Sequence, residues 1–185
     1  MNTYEKVTGH LKTINQHKAK VMDLCFRCGL YKQGLKHDLS KYSWTELKTG
    51  FKYYQGWRSP IDAQKEAEGY SFSWLHHKGR NPHHWEFWLD NGPNGIHPQS
   101  MEFNYVVEMF CDRVAASMIY LKDKYRDDSP WKYYKDHQKG MMVHPRTERQ
   151  ILYLLGYLKQ YGLEKTIKKI RELLATYRKT GDVPI

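Results

Sequence analysis

One stripe of side chains constrains this chain more than any other feature. Val7, His10, Ile14, His17, Val21, Leu24 and Cys28 recur at alternating spacings of three and four. That spacing places all seven on one face of a helix running from about Tyr4 to about Leu30. A face that mixes aliphatic residues with two histidines must bury both, so the imidazoles need partners. Gly29 and Gly34 punctuate the end of this helix.

The rest of the chain reads the same way. A second helix is expected near Ser43, where Ser43 and Glu46 have the spacing of a capping box. A third opens at Ser59–Pro60, a cap followed by proline at the first helical position, and is expected to reach Trp74–His77. Gly79 and Asn81–Pro82 break the chain, "HHWEFWL" forms an aromatic turn, and "DNGPNGIHPQ" reads as a loop. A long helix is expected from about Ser100 to about Tyr125, and Ser129–Pro130 opens a shorter one that stops at Gly140. Pro145 opens the helix that Gly162 ends. Leu163, Ile167, Ile170, Leu174 and Tyr177 then mark a last helix. No stretch alternates convincingly as a strand. The expected fold class is all-α, with antiparallel neighbours joined by mostly short connections.

A length of 185 residues suits a single domain, 1–185, with one core. Its 40% hydrophobic and 27% charged residues exclude a disordered chain. No apolar run is long enough for a membrane span. Charges in "MNTYEKVTGHLK" occupy the place of the apolar core that an export signal needs. Three cysteines, Cys25, Cys28 and Cys111, argue against a disulfide framework and for a reducing cytoplasm. Cys25-x-x-Cys28 has no second pair and reads as core. The formal charge of +10 attracts phosphates or nucleic acid, but much of it lies in "EKTIKKIRELLATYRK", where a solvated helix face explains it.

Ten histidines carry the candidate chemistry. His17 lies in the apolar stripe, and His10 shares its face and is the alternative ligand to it. His37 and Asp38 are adjacent in "GLKHDLSK". His76, His77, His83 and His84 crowd into "HHKGRNPHHWE". Asp112 sits on a helix beside Ala115, Ala116 and Ile119, one turn from Glu108. Each feature alone has a plain reading: a satisfied core histidine, exposed loop histidines, an aspartate paired with an arginine. Trp74, Trp85, Phe87 and Trp88 read as core or pocket wall, and His97, His137 and His144 as loop or cap residues. Taken together, imidazoles and carboxylates from four stretches suit iron, manganese, zinc, nickel or cobalt, without thiolate softness.

The order His, His-Asp, His, His, Asp resembles the HD-domain superfamily of metal-dependent phosphohydrolases. More narrowly, "HDLSK", "HHKGRNPHH" and "EMFCD" look like a bacterial and phage family of unknown function. The resemblance covers roughly His17 to Asp112. It implies an HD-like helical bundle, with a metal-site core over about 4–125 and additional C-terminal helices, about 129–180, packed on it. It implies His17, His37, Asp38 and Asp112 as ligands of one metal. It implies two further histidines for a second metal, bridged to the first by Asp38. His77 and His84 are the choices for these. His76 and His83 are the competitors, because neighbours on a helix point about 100° apart. Lys41 stands where some members place a phosphate-contacting lysine, and the Gly-Tyr-Pro motif of the cyclic dinucleotide branch is absent.

The expected function is therefore hydrolysis of a nucleotide or other small phosphate ester, with one or two divalent transition metals activating water. Lys41 and Arg80 would balance phosphate charge, and Glu108 would hold a ligand histidine or shuttle a proton. A second reading is an oxygenase with two irons acting on a small molecule. A third is a nucleic-acid-binding protein that uses the basic C-terminal helices.

Overall fold

The computed structural model describes residues 1–185. The seven-residue stripe lies on α1, Thr3–Cys28, and all of it but Val7 is buried. The stripe has two uses along its length. Val21, Leu24, Cys25 and Cys28 enter the main hydrophobic core, while His10, Ile14 and His17 face a polar cavity. The start of α1 is a capping box that the sequence reading passed over. The Asn2 side chain accepts from the Glu5 amide, and the Glu5 carboxylate accepts from the Asn2 amide.

The core is built by α1, α6 (Phe103–Leu121) and α8 (Pro145–Thr180), with α7 (Ser129–His137) contributing Tyr134. Phe103, Val107, Phe110 and Val114 on α6 meet Ile151, Leu154, Leu158 and Ile170 on α8. Burying a large aliphatic or aromatic side chain stabilises by roughly 1.5–3 kcal/mol, so this three-helix contact is the main source of stability. Gly162 interrupts α8 with non-helical angles (φ 79°, ψ 170°), at the point where a helix end was expected. No helix is long and apolar enough to cross a membrane. The fold is predominantly α-helical, as expected.

Three local expectations are corrected and one element is added. A short helix, α2 (Tyr31–Lys36), follows α1 directly. The segment expected as one helix from Ser59 to His77 is two, α4 (Pro60–Glu68) and α5 (Phe72–Lys78), separated at Gly69. The stretch expected as a loop falls mostly in a small antiparallel hairpin, β1 (Leu89–Gly92) with β2 (Gly95–Pro98), in which Asn91 pairs with Ile96. It was legible only as a loop because Gly, Pro and Asn dominate both strands. Finally, Ser43 precedes α3 (Trp44–Tyr53) but makes no capping bond, and its hydroxyl is buried without a partner. Glu46, the expected reciprocal cap, is directed elsewhere. Ser59 does cap α4 as expected, accepting from the Ile61 amide with Pro60 at the first turn.

Candidate metal centre

The centre is organised around the His37–Asp38 turn between α2 and a 3-10 turn, Leu39–Tyr42. Asp38 adopts the left-handed conformation (φ 54°, ψ 25°), rare for a residue with a side chain and costing roughly 1–2 kcal/mol. Such strain persists where the surroundings over-determine it. Here the Lys18 ammonium donates to the carbonyls of Leu35 (3.0 Å) and His37 (2.7 Å) and clamps the turn. The consequence is that two adjacent side chains point inward together, with His37 Nε2 3.2 Å from Asp38 Oδ2.

The two oxygens of Asp38 face two different sets of side chains. On the Oδ2 side lie His37 Nε2 and His17 Nε2, the latter at 3.7 Å, and Asp112 Oδ1 stands 2.9 Å from His17 Nε2. On the Oδ1 side lie His77 Nε2 at 3.3 Å and His83 Nε2 at 3.5 Å, and His84 Nε2 is 2.9 Å from His77 Nε2. Each set offers ligand atoms within 4.8 Å of one another: His17, His37, Asp38 and Asp112 in one, Asp38, His77, His83 and His84 in the other.

Burying this many polar atoms without partners is costly. Yet Nε2 of His37 and His83 and Oδ1 of Asp38 are buried with no hydrogen-bond partner, while Asp38 Oδ2 is paired with the Lys41 ammonium and His17 Nε2 with Asp112. These orphaned atoms are what a metal-binding set requires, and imidazole with carboxylate fits the borderline divalent metals.

Two further carboxylates aim the rings. Glu108 Oε1 is 2.9 Å from His37 Nδ1 and 3.2 Å from His83 Nδ1. Glu46 receives Nδ1 of His76 (2.8 Å) and of His77 (2.9 Å) on its two oxygens. A carboxylate only accepts, so each of these Nδ1 atoms carries a proton, which directs Nε2 of His37, His77 and His83 toward Asp38. Trp88 Nε1 donates to the Pro82 carbonyl at 2.7 Å, and Asn81 Nδ2 donates to the His77 carbonyl and the Ser40 hydroxyl. These bonds pin the turn that carries His83 and His84.

The electrostatics divide the ligands: burial pulls His37 and His77 down, but Asp38 outweighs it and raises both, His37 well above the ordinary imidazole range, so a metal would have to displace a proton from each. Burial pushes the Asp38 carboxyl up, but His37, Lys41 and His77 outweigh it and hold it well below the usual carboxylate range. Asp112 is likewise held well below by His17 and His37 despite burial. Burial pulls His17 down, and burial together with His83 and His77 pulls His84 well down, so both are neutral at pH 7.

The structure brings together all six residues that the sequence assigned as ligands. It also corrects the choice between His83 and His84. Both join the second set, because they lie in a turn rather than a helix and the 100° argument does not apply. His77 turns inward, whereas His76 reaches Glu46 from outside. His10 belongs to neither set. Arg80 is exposed and donates to the His76 carbonyl, away from the cavity, so it is not placed to meet a phosphate there. Lys41 is so placed, with Nζ 2.6 Å from Asp38 Oδ2. Phe87 is exposed, while Trp85 and Trp88 pack on the core. Sequence reasoning missed Glu46 altogether. Its spacing from Ser43 mimicked a cap, and no local signal separates the two uses.

A cavity of about 190 Å³ opens beside the two sets. His17, Asp38, Lys41, His77, His84 and Asp112 form one end, and His10, Thr13 and Gly50 are also in its wall. Trp74 covers His77 (ring centroids 5.7 Å apart, nearly parallel) and meets His84 edge-on. A family described as one of unknown function (DUF5662) matches residues 6–156, a span that includes every residue of both sets. No curated protein and no solved structure matches the chain.

Proposed function

The chain belongs to the DUF5662 family, and from the geometry of its side chains we propose that it is a metal-dependent hydrolase of a nucleotide or other small phosphate ester. One observation carries the reading: Asp38 presents one carboxylate oxygen to each of two ligand sets. That is the arrangement of a shared bridging ligand, and paired metals clamp the attacking and leaving oxygens of an in-line phosphoryl displacement. The resemblance of the His, His-Asp, His, His, Asp order to the HD-domain superfamily points the same way.

When bound, iron, manganese, zinc, nickel or cobalt would supply a nucleophilic water near neutral pH and a Lewis acid for a phosphoryl oxygen. His17, His37, Asp38 and Asp112 would hold one ion and Asp38, His77, His83 and His84 the other. Glu46 and Glu108 keep the ring protons on Nδ1. Lys41 is half-buried beside Asp38; burial pulls its pKa down, but the charges of Asp38 and Asp112 outweigh this and raise it. It therefore stays an ammonium and acts as a fixed charge for the phosphate, not as a proton donor. Trp74 excludes water from the back of His77 and His84.

The test is metal analysis of chain purified without chelator, followed by a phosphate-ester screen on protein loaded with each metal. Two equivalents and turnover are expected; metal-loaded protein that cleaves no ester ends this reading. A second reading, a di-iron oxygenase, draws on the three imidazoles of the second set, which also suit ferrous iron. It predicts oxygen consumption by the iron-loaded chain. The nucleic-acid reading rests on the charge of +10 alone.

A further inference from the structure

The segment from Tyr31 to Trp44 turns its large side chains away from the core. It runs back along α1, fixed by three contacts. Tyr31 meets Phe26 edge-on, the Lys18 ammonium holds the Leu35 and His37 carbonyls, and the Tyr42 hydroxyl donates to Asn15 Oδ1 at 2.6 Å. The helix α2 packs on α1 through its glycine: a Cβ on buried Gly34 would lie 3.0 Å from Cys25 Cβ and from the Phe26 ring. Tyr31 and Leu35, one turn apart, are left outside at 59% and 57% exposed, followed by Leu39 at 54% and Trp44 at 70%. An amphipathic helix in a globular protein normally does the opposite. Single exposed apolar residues are ordinary, but four along one short segment need an explanation.

The charge around these side chains has one sign. Between Asp23 and Asp62 the only acids are Asp38 and Glu46, both buried, whereas the same stretch carries five lysines and two arginines. Lys32 and Lys36 are exposed on α2 beside Tyr31 and Leu35, and Lys48 is exposed one turn from Trp44 on α3. Leucine and tryptophan bordered by lysine form the surface chemistry of a membrane interface. The apolar groups enter the acyl boundary, and the lysine stems lie along it while their ammonium groups reach lipid phosphates. We propose that this face is a peripheral membrane-binding surface that docks the chain on a bilayer rich in anionic lipid. Two other occupants fit less well. A single-stranded nucleic acid would stack on aromatic rings and leave Leu35 and Leu39 without a use. The centre of a protein interface would be depleted in lysine. Docking of this kind needs no helix that crosses the bilayer, and the chain has none. It is also independent of the chemistry at the metal centre.

The test is co-sedimentation of the full chain with vesicles of phosphatidylcholine, alone or mixed with phosphatidylglycerol. Binding to the mixed vesicles is expected to be at least about tenfold tighter and to weaken with added salt. Leu35→Ser with Trp44→Ser and, separately, Lys32→Glu with Lys36→Glu are each expected to lower it by about tenfold or more. All four side chains are exposed, so the fold is expected to survive these changes, and equal Tm values for the wild type and both variants check that it does. Tryptophan fluorescence gives a second readout from a milder change. Lipids brominated on the acyl chain are expected to quench it in the wild type and much less in Trp44→Phe. Equal binding to the two kinds of vesicle, binding that either double variant leaves unchanged, or quenching that survives Trp44→Phe overturns the proposal. A single-stranded oligonucleotide bound more tightly than the mixed vesicles, with that affinity lost in Leu35→Ser with Trp44→Ser, would make this a nucleic-acid surface instead. A dimer in sedimentation velocity that the same double variant dissociates would make it a subunit interface, and either result also overturns the proposal.

Discussion

Glu46 is the residue whose role the local sequence hides most completely. It bridges His76 and His77, and a carboxylate can accept from both Nδ1 atoms at once. Glutamine cannot, because one of its two positions must donate. Glu46→Gln is therefore expected to weaken the ion held by His77, His83 and His84 by about 10- to 100-fold while leaving the other in place. Stepwise metal titration reads this directly, and two equally tight equivalents in the variant would show that Glu46 does not orient His77. His10 supplies a second prediction, with a definite sign. Its pKa is about 4 in the fold against 6.5 unfolded, so only the unfolded chain takes up its proton between those values. The stability due to the neutral ring is complete above pH 6.5 and is lost as pH falls toward 4. The loss is on the order of 3 kcal/mol. Urea unfolding at pH 7 and pH 4 should show a drop smaller by about that amount in His10→Gln than in the wild type. The other buried histidines contribute equally to both chains and cancel in the comparison.

At the scale of elements, the positions of glycine and proline told where helices stop, and the periodicity told which face is buried. Gly162 separates the two halves of α8 in a conformation (φ 79°, ψ 170°) that is essentially glycine's own. Gly162→Ala should cost about 1–3 kcal/mol in urea unfolding, and a neutral substitution would mean that the helix can straighten at no cost. The errors have physical causes of the same kind. Gly69 splits the Ser59–His77 segment because it ends α4 in the left-handed conformation (φ 78°) that glycine adopts without strain. The hairpin at Leu89–Pro98 holds together through backbone pairing of residues with poor strand propensity, which no side-chain pattern reports. The turn at His83–His84 escaped a rule that holds only inside helices.

At the scale of the whole molecule, a metal that binds only the folded chain must stabilise it. Free metal at about 100 times its dissociation constant adds roughly 2.7 kcal/mol per site. For a domain of this size that is a rise in Tm of about 5–10 °C. Chelation should remove the rise. Asp38→Ala, which breaks both sets at once, should show little difference with or without metal in differential scanning calorimetry. The same scale separates what was readable from what was not. The sequence alone determined the helical class and the buried stripe of α1, because periodicity is local, and the family resemblance in the order of its His and Asp residues pointed to six residues that the structure brings together. Only the tertiary structure decided that Asp38 turns left-handed to face two sets, that His83 joins His84, that Arg80 points away and that Glu46 serves two histidines rather than a helix end. Those are matters of direction, set by long-range contacts among α1, α3, α5 and α6, and a list of residues carries spacing but not direction.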